Sequence, residues 1–121
     1  MNPRIVLATF HIIAVVPFFL YVGFTRAANP EWIYNVLLGL GLFLFAYHAF
    51  KATIRFINRS NYLWVNLIHA LIIAPLLIVI GLYGKKTPRA GYELLMLVAF
   101  AALGYHMYNL FIEINLITDK D

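Results

Sequence analysis

The chain has 121 residues, of which 64% are hydrophobic and only 12% are charged, against about a quarter in average soluble proteins. A soluble core of this size could not bury so much apolar surface, so the composition predicts an integral membrane protein. No basic surface is left over for nucleic acid, because the positive charges gather at the ends of apolar segments. Cysteine is absent, which excludes disulfides and thiolate metal sites.

The first apolar segment, from about Ile5 to Thr25, is long enough to cross a hydrocarbon core of about 30 Å. Arg4 precedes the segment and no small-residue cleavage site follows, so we expect it to remain as a helix rather than act as a signal peptide. Pro17 removes one backbone donor inside this helix and predicts a bend.

The second helix is predicted from about Glu31 to Phe56, because Pro30 and Glu31 suit the first helical turn. Trp32 and Tyr34 are expected to anchor this helix at the membrane interface. Helices three and four are predicted over about 62–83 and 90–117. Small residues on helices two and four predict close helix contacts: Gly39, Gly41, Ala46, Ala49, Ala52, Ala99, Ala101, Ala102 and Gly104.

The two halves of the chain match each other without a gap. The segment from His11 through Pro17 reappears as His69 through Pro75, and all four histidines of the chain fall into matched positions. The same shift gives these further matches: Pro30 with Pro88, Tyr34 with Tyr92, Leu37 with Leu95, Tyr47-His48 with Tyr105-His106, and Ile54 with Ile112. We interpret this as a tandem duplication, with repeats over about 4–57 and 62–115.

Four spans with short loops predict a single all-α membrane domain over residues 1–121. The expected fold is an antiparallel four-transmembrane-helix bundle, its two-helix repeats related by a pseudo-twofold axis along the membrane normal. Both termini then lie on one side of a multi-pass protein. Basic residues are divided between the sides: Arg4, Lys51, Arg55, Arg59 and Lys120 toward the termini, against Arg26, Lys85, Lys86 and Arg89 opposite. This near tie selects no orientation.

The repeat also predicts a layer of four histidines. His11 lies about seven residues into an outgoing helix and His48 about eight before the end of a returning one, so both lie about 10 Å below the same face. The duplication brings His69 and His106 to that depth, and polar rings are expected to point away from lipid. The predicted surrounding residues are Tyr47, Lys51, Arg55, Tyr105, Asn109 and Glu113. Arg55 and Glu113 are expected to form an ion pair.

The histidine layer favours binding of haem b or of a single transition-metal ion (Cu, Zn or Fe), for electron transfer or metal handling. Imidazole is a ligand for all of these metals, and facing histidines can occupy both axial positions of a haem. One alternative is a protein without a cofactor that serves as a structural or accessory subunit of a larger membrane assembly. Another is a proton or cation channel or transporter with a histidine ring.

An enzyme is the less favoured class, because the sequence has no nucleophile-base-acid set and no glycine-rich phosphate loop. The expected surroundings are the lipid bilayer, with further copies of the chain or a larger membrane complex as partners. Exposed phenylalanines supply apolar surface for either: Phe43, Phe45, Phe50, Phe100 and Phe111.

Overall fold

The computed structural model describes residues 2–120, which are almost entirely helical and contain no strand. Its four helices are α1 (Pro3–Ala28), α2 (Glu31–Ile57), α3 (Leu63–Lys86) and α4 (Arg89–Thr118). By length and composition, each of these helices is apolar enough to cross a membrane. The predicted all-α class and the four predicted segments are therefore confirmed.

Helices α1 and α3 share an internal irregularity. Residues His11–Val15 in α1 and His69–Ile73 in α3 wind as π-helix. Pro17 and Pro75 follow shortly after these turns. A proline has no amide hydrogen and its ring collides with the carbonyl four residues earlier, and a wider turn accommodates both problems. The sequence predicted a bend at Pro17, and what the structure shows before both prolines is a π-helical turn.

The chain divides into two compact units. The first unit combines the residues up to Phe24 with those from Glu93 onward, and so contains most of α1 and of α4. The second unit is Thr25–Tyr92, which contains α2 and α3 with their flanking loops. Each unit therefore combines helices from both predicted repeats.

In the second unit, α2 and α3 approach closely at two glycines. A Cβ atom at Gly81 would lie 2.7 Å from the backbone nitrogen of Leu38, and one at Gly41 would lie 3.0 Å from the carbonyl oxygen of Ala74. Gly41 was among the small residues predicted to allow close packing, and this contact is confirmed. Gly39 and Gly104 were predicted likewise, but apart from chain neighbours and the nearby backbone of their own helix, no described atom lies within 4 Å of a Cβ placed on either. Those two glycines point away from the packed faces.

The outer surfaces of the helices are strongly apolar. Phenylalanines stand out among the exposed side chains: Phe10, Phe24, Phe43, Phe45, Phe50, Phe56, Phe100 and Phe111. So many large exposed apolar side chains are unusual for a soluble monomer and typical of surfaces that contact lipid or another protein. The buried side chains are mostly aliphatic, with Leu37, Leu77, Ile80 and Leu95 fully enclosed.

Candidate functional site: two histidine pairs and a tyrosine pair

The four histidines occur as two stacked pairs, one in each unit. In the first unit, the ring centroids of His11 and His106 lie 4.2 Å apart with the planes inclined by 21°. In the second unit, the centroids of His48 and His69 lie 4.3 Å apart with an inclination of 19°. The repeat maps one pair onto the other, since His11 matches His69 and His106 matches His48.

One histidine of each pair begins a π-helical turn and has its ring oriented by the backbone. Nδ1 of His11 lies 2.8 Å from the carbonyl oxygen of Leu7, and Nδ1 of His69 lies 2.7 Å from that of Val65. A carbonyl oxygen can only accept a hydrogen bond, so Nδ1 must carry the proton in both rings. In the neutral ring, Nε2 is then the nitrogen with the lone pair.

The ring of His48 has the opposite tautomer, and a chain of polar contacts determines it. The Arg55 guanidinium donates to Oδ1 of Asn66 at 2.6 Å, and Nδ2 of Asn66 lies 2.9 Å from Nδ1 of His48. Arginine can only donate, which places the amide oxygen of Asn66 toward Arg55 and its NH2 group toward His48. Nδ1 of His48 therefore accepts and Nε2 carries the proton. Asn66 is only 3% exposed, so water does not replace these contacts.

Replacing Asn66 with alanine is expected to release the ring of His48 from its single tautomer. The ring loses the donor that keeps Nδ1 unprotonated, while its stacking on His69 is left in place. Nitrogen-15 NMR of labelled histidine in detergent would show a protonated Nε2 for His48 in the parent protein and a tautomer mixture in Asn66→Ala. The matched control is Asn109→Ala, which should leave the His48 signals unchanged. Identical His48 signals in the parent and Asn66→Ala would contradict this assignment.

The carboxylate of Glu113 forms an ion pair with Arg4 of α1. Its two carboxylate oxygens accept from Nδ2 of Asn2 at 2.8 Å and from the Arg4 guanidinium at 3.2 Å. The sequence predicted Arg55 as the partner, but Arg55 donates to Asn66 and to the Tyr62 carbonyl in the second unit. The start of α1 reaches Glu113 within the first unit, so Arg4 supplies the charge. The placement of Arg4 and Glu113 toward the same membrane face was the sequence signal for this pair.

The other predicted surrounding residues differ in their contacts. Tyr47 lies edge-on to the neighbouring His48 ring at 5.0 Å, and Tyr105 lies edge-on to His106 at 5.2 Å. Lys51 and Asn109 are half-buried, and neither side chain forms a hydrogen bond or ion pair with the described residues. The tyrosines thus flank the pairs, whereas Lys51 and Asn109 do not contribute a polar contact to them.

A tyrosine pair lies in the second unit, at the loop ends of the helices. The hydroxyl oxygens of Tyr34 and Tyr92 are 2.8 Å apart, and each residue is only 2% exposed. Tyr34 also donates to the Arg26 carbonyl at 3.1 Å, and Tyr92 lies 3.4 Å from the Gly84 carbonyl. The two hydroxyl groups have two protons for these three contacts. The two shorter contacts form a chain in which Tyr92 donates to Tyr34 and Tyr34 donates to the Arg26 carbonyl. The prediction that Tyr34 is an interfacial anchor is wrong, because its side chain is enclosed.

The two turns whose carbonyls contact these tyrosines, at Arg26 and Gly84, have similar backbone geometry. Arg26 has φ 52° and Gly84 has φ 57°, both in the left-handed region that favours glycine. The side chains of Asn29 and Thr87 donate to the carbonyls of Arg26 and Gly84 at 2.7 Å and 2.6 Å. The sequence repeat matched the prolines and tyrosines that follow these turns. It did not identify Asn29 and Thr87 as equivalent, because the two residue types differ.

The chemistry available at each histidine pair is that of two imidazoles on facing helices, which can join the helices or donate two ligands. Among residues 2–120, no group of three or more His, Cys, Asp or Glu side chains lies close enough together to hold a metal ion. The predicted binding of one ion by all four histidines therefore has no support from the described residues. Comparison with protein-family models, with curated proteins and with solved structures found no match.

Proposed function

We propose that this chain is a multi-pass membrane protein built as an antiparallel four-helix bundle, with both termini on the same side. Its four long apolar helices support this placement. Antiparallel packing is supported by contacts that run in opposite directions along partner helices: Leu38 with Gly81 and His48 with His69 in the second unit, and Asn2 with Glu113 and His11 with His106 in the first.

The bundle is proposed to consist of two tandem repeats related by a pseudo-twofold axis along the membrane normal. Its support is the recurrence of the same contacts at matched positions, in the histidine pairs and in the two turns. A residue that touches its own repeat equivalent must lie beside such an axis. Tyr34 and Tyr92 are matched residues that share a hydrogen bond, which favours an axis between their hydroxyls.

Within this bundle, the function that the site supports best is structural: the histidine pairs join helices of the two repeats in an accessory subunit of a larger membrane assembly. The observation that carries this proposal is the chain from Arg55 through Asn66 to His48, stacked on His69. Here Nδ1 of His48 accepts from Asn66, and its Nε2 carries the proton. Neither ring nitrogen of His48 is therefore an open metal ligand in this arrangement.

The magnitudes are consistent with a joining role. Hydrogen bonds between transmembrane helices contribute about 0.6 kcal/mol on average. Stacked aromatic pairs contribute about 0.5–1.5 kcal/mol beyond the burial of their area. Stacking in each unit, with the interhelical hydrogen bond from Asn66 to His48 in the second, therefore stabilises helix contacts in a membrane, where apolar burial between helices is a weak driving force.

Binding of haem b or a transition-metal ion (Cu, Zn or Fe) is the second candidate, favoured by the geometry of His11 and His69. Each donates Nδ1–H to a backbone carbonyl, which is the arrangement that commonly orients metal-binding histidines. Each also begins a π-helical turn, a feature frequent at functional sites. Each pair offers at most two imidazoles, so an ion would require further ligands from elsewhere. A haem would require the stacked rings, whose centroids are 4.2 Å and 4.3 Å apart, to separate before both could ligate its iron.

An absorption spectrum and an elemental analysis of protein purified in mild detergent, from cells supplied with iron and haem precursor, separate the two candidates. The structural role predicts folded protein with neither a Soret band nor a stoichiometric metal. A Soret band abolished by His11→Ala or His106→Ala would establish the cytochrome instead. A stoichiometric metal without that band would establish an imidazole-ligated ion.

A double-mutant cycle on the second unit tests the joining role directly. His48→Ala and His69→Ala are each expected to lower the free energy of unfolding by about 1 kcal/mol. The double variant should lose less than the sum, because the stacked contact can be lost only once. The control combines His48→Ala with Tyr92→Phe, whose effects should add because Tyr92 contacts Tyr34, which lies about four helical turns from His48 along α2. Full additivity of the two histidine substitutions would count against the proposal.

A further inference from the structure

An open polar groove lies in the second unit, where α2 begins and α3 ends. It has a volume of about 460 Å³, and Glu31, Tyr34 and Asn35 line it from α2. The opposite wall is the end of α3, residues 81–86. Neither the histidine pairs nor the proposed joining of helices uses this groove.

The charges around the groove have different roles. The Lys85 ammonium donates to the carbonyl oxygens of Ala27 and Asn29, both at 3.0 Å, and so ties the loop before α2 to the end of α3. Glu31 and Lys86 are exposed, and neither side chain forms an ion pair or hydrogen bond with the described residues. The groove therefore presents one carboxylate and one ammonium that remain available to a ligand.

The position of the groove along the helices corresponds to lipid headgroups. The groove includes the last turn of α3 and the first turn of α2, at the ends of two segments long enough to span a bilayer. Trp32 and Tyr83 beside it are 61% and 59% exposed. Exposed tryptophan and tyrosine at helix ends are typical of the membrane interface.

We propose that this groove binds the headgroup of phosphatidylethanolamine, with the phosphate toward Lys86 and the primary ammonium toward Glu31. The inference rests on the proposed membrane placement and is independent of the role of the histidines. Charge-assisted hydrogen bonds from Lys86 to phosphate and from the lipid ammonium to Glu31 satisfy both side chains at once. A purely anionic headgroup would leave Glu31 as a repulsive neighbour, and a choline headgroup has no N–H to donate to it.

Native mass spectrometry of the detergent-purified full chain tests this proposal, with lipid added as phosphatidylethanolamine, phosphatidylcholine or phosphatidylglycerol. The parent protein should bind phosphatidylethanolamine about two- to fivefold more tightly than phosphatidylcholine, the range expected from partly exposed charge contacts. Glu31→Gln should abolish that preference without weakening phosphatidylglycerol. Lys86→Ala should weaken both phosphatidylethanolamine and phosphatidylglycerol.

Matched controls make the same charge changes at the other end of the helices. Asp119→Asn and Lys120→Ala should leave the lipid preference unchanged, and thermal unfolding verifies that every variant is folded. Equal binding of phosphatidylethanolamine and phosphatidylcholine by the parent would overturn the proposal. A phosphatidylglycerol preference insensitive to Glu31→Gln would also overturn it, by revealing only a basic surface. Equally tight binding of water-soluble glycerophosphoethanolamine would assign the groove to a free metabolite instead.

A separate experiment distinguishes failure of the proposed membrane placement from failure of the lipid site. Carbonate extraction of membranes that contain the full chain should leave it in the membrane pellet. Release into the soluble fraction would overturn the proposed function as a whole. Retention in the pellet together with no ethanolamine preference would overturn the lipid site alone.

Discussion

Gly81→Ala is expected to lower the free energy of unfolding by about 1–3 kcal/mol, the usual cost of forcing an additional methyl group into a packed interface. The new Cβ would lie 2.7 Å from the backbone nitrogen and Cβ of Leu38 and 2.8 Å from its Cα. Helical backbone cannot rotate away as the end of a side chain can, so α2 and α3 must separate. Thermal unfolding in detergent measures the loss.

The matched control is Gly39→Ala on α2. Apart from chain neighbours and the nearby backbone of α2 itself, no described atom lies within 4 Å of a Cβ placed at Gly39, so no clash is expected. Alanine is more favourable than glycine inside a helix by roughly 0.5–1 kcal/mol, and this variant should be as stable as the parent or more stable. If the substitutions at Gly81 and Gly39 had equal effects, the close approach of α2 and α3 at Gly81 would be refuted.

Tyr34→Phe is expected to lower the free energy of unfolding by about 1–2 kcal/mol, because a buried hydrogen-bonded group loses its partner. Its loss leaves the Tyr92 hydroxyl with only the 3.4 Å contact to the Gly84 carbonyl. Tyr92→Phe should cost less, because Tyr34 retains its 3.1 Å bond to the Arg26 carbonyl. The asymmetry follows from the direction of the hydrogen-bond chain.

The double variant completes the test of the tyrosine pair. Because both single variants remove the same hydroxyl contact, the double variant should lose less than their sum, with a coupling of about 1 kcal/mol. Tyr83→Phe is the control, since Tyr83 is exposed in the same unit, and its effect should stay within about 0.5 kcal/mol. Additive losses for Tyr34→Phe and Tyr92→Phe would mean that the hydroxyls do not interact.

Local pattern was sufficient to predict the four helices, and it marked Pro17 as a point of irregularity without predicting the π-helical turn. A run of apolar residues long enough to span hydrocarbon satisfies its own backbone only as a helix, whatever its neighbours are. A proline disturbs the turn before it through its own ring and missing amide. The structure confirms these helices and places a π-helical turn before Pro17 and before Pro75. The composition likewise predicted the apolar outer surface.

Tertiary structure decided which side chains contact each other. The depth of a residue follows from its position along a helix. Depth placed Glu113 level with Arg55, and Arg4 was assigned to the same side of the membrane. Which of the two is reached depends on how the helices pack, and that packing selects Arg4. The same limit applies to Tyr34, whose position near a helix start resembles that of an interfacial anchor although its side chain is enclosed.

The glycines of α2 show the same difference between what sequence position predicts and what helix packing decides. Gly39 and Gly41 are both glycines and lie two residues apart on α2, yet only Gly41 packs against α3. Likewise, matched depth predicted one layer of four histidines but not which rings touch, and the ring contacts pair His11 with His106 and His48 with His69. Periodicity determines which residues share a height or a face of a helix. The rotation of each helix about its axis determines which of those residues touch, and contacts distant in sequence set that rotation.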